Sequence, residues 1–218
     1  EGQKMGKSLG NVLDPDLLLS KYGNDPVRWY LIKDITLGND GDFQDRRFVD
    51  IINNDLANTI GNLLNRTTSM SRKWFDNKVP VNNEITSENK LECLAKRSIE
   101  NYINKFNTYK LDQAANEVLN LAINTNLYLN ENQPWLLIKE NDKLPVVQEI
   151  IYNVLESTRI IGLLLLPLLP ELSSKINLQL GSIYQKDVSW EQQLKWGLLI
   201  SNTTLPKPSP IINKLEYE

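Results

Sequence analysis

The sequence predicts a mainly α-helical protein built on an antiparallel helix bundle, and three observations carry that expectation. Apolar residues recur at spacings of three and four over most of the chain beyond Asp45. Asp14-Pro15 and Asp25-Pro26 each place a capping carboxylate before a proline, whose missing N–H costs nothing at the first helical position. The longest apolar run, Ile160 to Leu169, is about half the roughly 20 residues that span a bilayer and is broken by Pro167, so it reads as the end of a buried helix.

The elements follow in order. Up to about Phe43, glycine-marked turns alternate with two short helices, one from Pro15 stopped by Gly23 and one from Val27 to about Ile35. Leu37 to Phe43 is dense in turn formers and sets the expected domain boundary, dividing the chain into 1–43 and 44–218. From Asp45, Phe48, Ile52, Leu56, Ile60, Leu63 and Leu64 form one stripe, which predicts a single long helix reaching Phe75. After a loop at Val79-Pro80, Ser87 caps a second helix with the stripe Leu91, Leu94, Ile99, Tyr102 and Phe106. A third runs from Leu111 through Ala115, Val118 and Ala122 to about Leu129, followed by Asn130-Glu-Asn-Gln-Pro-Trp135. A fourth begins near Pro145 and continues through Ile150, Val154, Ile161 and Leu165. Short links between four amphipathic helices predict a bundle. The tail, with Pro170, Gly181, Pro206, Pro208 and Pro210, predicts short helical pieces and an extended end packed on it.

Composition narrows the chemistry. Among 218 residues there is no histidine, which removes Ser-His-Asp triads, Cys-His pairs and histidine metal helices. The one thiol, Cys93, can form neither an intrachain disulfide nor a Cys-x-x-Cys site, so no metal ligand set is expected and a reducing compartment fits, cytoplasm or organelle matrix. The chain opens Glu1-Gly-Gln-Lys, without an initiator Met or a targeting pattern, and is expected to be part of a longer protein. No segment is expected to enter a membrane.

Three sets of residues carry chemistry. Lys4 and Lys7, on a glycine-flanked loop, can bring two ammonium charges to a triphosphate, where charge grows as the α-phosphate is attacked; spacing alone equally allows a solvated basic loop. Asn62 and Arg66, four residues apart, share a helical face and have donors suited to base edges, though a plain exposed polar face has the same pattern. Trp135, restrained by Pro134, is either a rim packing residue or a platform on which an unpaired base stacks. Trp29, Trp74, Trp190 and Trp196 read as packing residues, and Asp40 and Asp42 as holders of backbone N–H groups in a turn. A net charge of −3 is unusual for an RNA binder, but Arg46, Arg47, Arg66, Arg72 and Lys73 gather on the first long helix as a candidate phosphate-facing stripe.

Lys4-Met-Gly-Lys-Ser8 followed by Leu-Gly-Asn-Val12 resembles the Lys-Met-Ser-Lys-Ser loop of class I aminoacyl-tRNA synthetases, methionyl branch, departing at Gly6 where that family usually has Ser. Asp14-Pro15, Tyr22-Gly23, Asp25-Pro26, Arg28, the Gly38 to Phe43 turn, Asn54 to Asn58 and Gly61-Asn62-Leu63-x-x-Arg66 continue the resemblance to methionyl-tRNA synthetases. It implies that residues 1–43 are the end of a class I α/β catalytic core and residues 44–218 an anticodon-binding helix bundle. It further implies that Lys4 and Lys7 are catalytic, that Lys4, Lys7 and Ser8 bind ATP, and that Asn62, Arg66 and Trp135 read the anticodon. The implied activity is ATP-dependent aminoacylation of tRNA(Met) through methionyl-adenylate, with Mg²⁺ in the parent enzyme and methionine as the other substrate. That family carries a His-x-Gly-His type signature near its N-terminal nucleotide-binding strand. With no histidine here, the imidazole half of the active site is expected upstream of Glu1 and the chain alone is expected to be inactive. A class I synthetase for another amino acid, and a helical interaction module without RNA binding, are the competing readings.

Overall fold

The computed structural model describes residues 14–35, 38, 41, 43–82, 89–182 and 184–217. Among these the secondary structure is helical, apart from an isolated antiparallel bridge between Lys78 and Thr204. Helix α1 (Pro15–Tyr22) starts as its sequence demands, with the Asp14 carboxylate accepting from the Asp16 N–H at 2.9 Å, and it stops at Gly23. Helix α2 (Asn24–Asp34) begins three residues before Val27, and here the expectation for Asp25 fails, because it does not cap its own helix. Its carboxylate is buried and accepts from the Leu172 N–H at 2.6 Å, in the first turn of α9 (Pro170–Gln179). The residue at the α9 cap position is Leu169, which has no acceptor, so an orphan donor of that helix is satisfied from another element. One turn along α2, Arg28 donates to the carbonyls of Leu168 at 2.7 Å and Pro167 at 3.1 Å. Together Asp25 and Arg28 grip both sides of the corner between α9 and the preceding α8 (Leu144–Leu165).

The long helix is continuous but not uniform. Helix α3 (Asp45–Ile51) passes into a π-helical stretch, Ile52–Gly61, and then into α4 (Asn62–Trp74). Phe48, Ile52, Leu56, Ile60, Leu64 and Thr68 are all buried, and each lies four residues after the last. In a helix of 3.6 residues per turn such a stripe would wander by about 40° per repeat. The wider turn of the π stretch keeps it on one face. Two five-residue contacts mark the underwinding: Thr59 Oγ1 donates to Asn54 O at 2.7 Å, and the Asn62 N–H reaches the Ala57 carbonyl.

Helix α5 (Lys90–Asn107) is capped by Asn89, whose side chain accepts from the Glu92 N–H; the expected cap, Ser87, lies outside the described residues. A three-residue link with Tyr109 at φ 59° leads into α6 (Leu111–Asn132). Helix α8 is the centre of the bundle, packed against α4, α5, α6 and α9. Every residue from Glu149 to Leu165 is buried, as a helix surrounded by others requires. Gly162 is needed where α9 crosses, since a Cβ there would sit 2.9 Å from Ile176 Cγ2. The apolar run ends as expected, with α8 terminating at Leu165 and Pro167 in the turn. Among the described residues no helix is long and apolar enough to cross a membrane.

The tail has the expected character of short helical pieces followed by extended chain. The Glu156 carboxylate, itself fully buried, pairs with Arg159 at 2.6 Å and accepts from the N–H groups of Gly197, Leu198 and Leu199. Arg159 in turn donates to the carbonyls of Gln193 and Lys195, which fastens α10 (Trp190–Gln193) and its following turn to α8. Further on, Leu205 and Ile211 are buried, and the Asn53 amide both donates to and accepts from the Leu215 backbone, at 2.9 and 2.8 Å. The tail thereby returns to the π stretch. Trp29 is fully buried with its N–H on Asp55, and Trp190 donates to Leu163 O; Trp74 and Trp196 pack against the core.

Candidate nucleic-acid interface

Arg66 stands one turn beyond Asn62 on α4, while Trp135 comes from the far end of α6. Gln133 takes a left-handed conformation (φ 42°, ψ 55°) that ends α6, and Pro134 opens the one-turn helix α7 (Pro134–Leu137) that carries Trp135. The Arg66 guanidinium carbon lies over the indole at 5.9 Å from the ring centroid, within cation–π range. Its Nη2 donates to Asn130 Oδ1 at 3.0 Å. Asn130 and Trp135 therefore both engage the guanidinium, which sits beside a partly exposed ring. A nucleobase can extend such a pair by stacking, and the remaining guanidinium donors suit acceptors on its edge.

Asn62 is exposed and does not share the contact between Arg66 and Trp135. It lines a cavity of about 390 Å³ between the start of α4 and the tail, with Asn58, Asn65, Ile212 and Lys214 among its walls. The structure thus joins Arg66 to Trp135 directly and sets Asn62 one helical turn away, at the edge of a second hollow. Of the basic stripe, Arg46, Arg72 and Lys73 are exposed, whereas Arg47 is ion-paired with Asp34 of α2. Asn130, which orients Arg66, sits inside the Asn-Glu-Asn-Gln-Pro-Trp run, but in a chain rich in Asn one more carries no signal.

Lys4, Lys7 and Ser8 lie outside the described residues, as do Asp40 and Asp42. Among the described residues no group of three or more His, Cys, Asp or Glu side chains converges on a metal-sized site.

Two family models match the chain: tRNA synthetases class I (M) over residues 1–68, and the anticodon binding domain of methionyl tRNA ligase over residues 79–216. The first sets the class, that of the class I aminoacyl-tRNA synthetases. Relatives sharpen it. The methionine–tRNA ligase of Thermosynechococcus vestitus is 41% identical over 223 residues, covering 99% of this chain and 42% of that protein. That of Thermotoga maritima is 35% identical, covering 99% of this chain and 34% of that protein. The structure of Mycobacterium tuberculosis methionyl-tRNA synthetase in complex with methionyl-adenylate matches at a TM-score of 0.88 and 32% identity, over 97% of this chain and 42% of that one. The chain belongs to the methionyl-tRNA synthetase family, and it spans a third to two fifths of the length of these relatives.

Proposed function

We propose that this chain is the anticodon-reading part of a methionine–tRNA ligase, a cytoplasmic enzyme that joins methionine to tRNA(Met) through methionyl-adenylate, with ATP and Mg²⁺ bound mostly by upstream sequence. Residues 1–43 close the catalytic core and residues 44–218 bind the anticodon arm. Lys4 and Lys7 bring positive charge to the ATP phosphates as pyrophosphate leaves, with Ser8 assisting in the same loop. Arg66 and Trp135 bind one unpaired anticodon base, stacked on the pair and bonded at its edge, and Asn62 reads from one turn away. The observation that supports this most is the contact between Arg66 and Trp135, two planar groups from separate helices, with Asn130 bonded to the guanidinium.

Fluorescence titration of this chain with RNA hairpins bearing a CAU loop tests the reading. Binding should be weak and salt-sensitive, and it should quench Trp135. Trp135→Ala should weaken it by about 1–3 kcal/mol, the contribution of one stacked base. Equal affinity for hairpins with altered anticodon bases would overturn the assignment, and absence of any binding would favour a helical interaction module.

A further inference from the structure

We infer that the cavity between the later turns of α8 and the segment from Tyr184 to Leu198 binds a small organic carboxylate with an apolar body. The site is separate from the RNA face proposed above and does not depend on it.

The cavity holds about 370 Å³, at the low end of the range for small-ligand sites, so its occupant is of metabolite size rather than a peptide. One wall carries Arg159, which is buried yet borders the cavity. Four of its five N–H groups are bonded. Nε and Nη2 hold the Glu156 carboxylate at 2.8 and 2.6 Å, Nη2 also reaches the Lys195 carbonyl at 2.7 Å, and Nη1 reaches that of Gln193 at 2.6 Å. Among the described residues one N–H on Nη1 is left over, on a guanidinium whose position is already fixed. An unspent donor on a buried cation favours an acceptor, and an anionic acceptor most.

Lys195 supplies a second cation. Only its backbone carbonyl serves Arg159; the side chain is exposed, and among the described residues its ammonium has no ion-pair partner. None of the described residues lining the cavity is acidic, and the Glu156 carboxylate is taken up by Arg159 and the N–H groups of Gly197, Leu198 and Leu199. Leu163, Val188, Leu198 and the Tyr184 ring make the rest of the wall apolar. Inorganic phosphate would leave that half unused, and a neutral hydrocarbon would leave the cations unanswered. An acid with an apolar body meets both.

The protein builds this shape by itself. Gln193, buried, donates from Nε2 to the carbonyls of Gln185 at 2.9 Å and Val188 at 2.8 Å, and its Oε1 accepts from the Gln185 N–H at 2.9 Å. The loop that carries Val188 is therefore held in place, and binding has little ordering cost to meet. Arg159 and Leu163 lie ten residues along α8 from Glu149 and Asn153, which neighbour Tyr128 near the RNA face, a separation of about 15 Å.

Calorimetric titration of this chain with phenylpropionate, phenylpropionamide, phenylpropylamine and inorganic phosphate tests the site. The acid should bind in about the millimolar range, roughly tenfold more tightly than the amide, and the amine should not bind. Lys195→Glu, at an exposed position whose backbone bond to Arg159 is kept, should abolish binding of the acid, while Lys195→Arg should retain it. Acid, amide and amine binding alike, or an affinity for the acid that Lys195→Glu leaves unchanged, would overturn the proposal. So would phosphate binding as tightly as the acid, or no binding of the acid at all.

Discussion

Asp25 shows how a single side chain serves a distant element. Burial holds its carboxyl above the ordinary value, against the opposing pull of the Leu172 N–H. A raised carboxyl means that the folded chain binds the proton more tightly than the unfolded chain. The contribution of Asp25 to stability is therefore fully present below the unfolded value near pH 4, declines as pH rises through the folded value, and is flat above it. Asp25→Asn keeps an acceptor for Leu172 and removes the charge, so urea unfolding at pH 7 should find it as stable as the parent or more so, with that pH dependence gone. Asp25→Ala leaves the α9 donor orphaned and should cost about 1–2 kcal/mol. Asp25-Pro26 reads as a local cap in the sequence because the signal spans only two residues. The partner it caps lies 147 residues away. The same limit hid Asn130, whose value to Arg66 depends on α6 lying beside α4.

At the scale of elements, α8 carries the most consequential polar group. Glu156 answers one guanidinium and three backbone N–H groups while fully buried, so its removal strands them all. Glu156→Ala should destabilise the chain by about 3–5 kcal/mol in thermal or urea unfolding, and adding Arg159→Met should recover part of the loss by removing the stranded charge. Protease cleavage should appear first near residues 193–199, which these bonds hold down. The long helix at 45–74 is a different case. Its stripe was legible as a helix, but Phe48, Ile52, Leu56, Ile60 and Leu64 are four apart, a period between α and π that spacings of three and four do not separate by eye. The π stretch ends at Gly61, immediately before Asn62, and so sets the direction in which Asn62 and Arg66 leave the helix.

Across the whole molecule, the two ends of the proposed function are separable. In the full-length enzyme, Lys7→Ala should slow ATP–pyrophosphate exchange by about 10²–10³-fold while leaving affinity for the anticodon hairpin unchanged. An equal loss in hairpin binding would mean that Lys7 acts on folding or on RNA rather than on the phosphates. The net charge of −3 leaves room for the proposed RNA binding, because Arg46, Arg72 and Lys73 stay exposed on one long helix.

Helix existence, the Asp14 cap, the stop at Gly23, the buried end of α8 and the family itself were readable from the chain, because caps, periodicity and motifs act over a few consecutive residues. The corner clamped by Asp25 and Arg28, the contact of Arg66 with Trp135 and the tail's return to Asn53 were decided only by packing. Each joins residues more than 60 positions apart, and their meeting depends on the angles at which buried helices cross. Local sequence does not encode those angles.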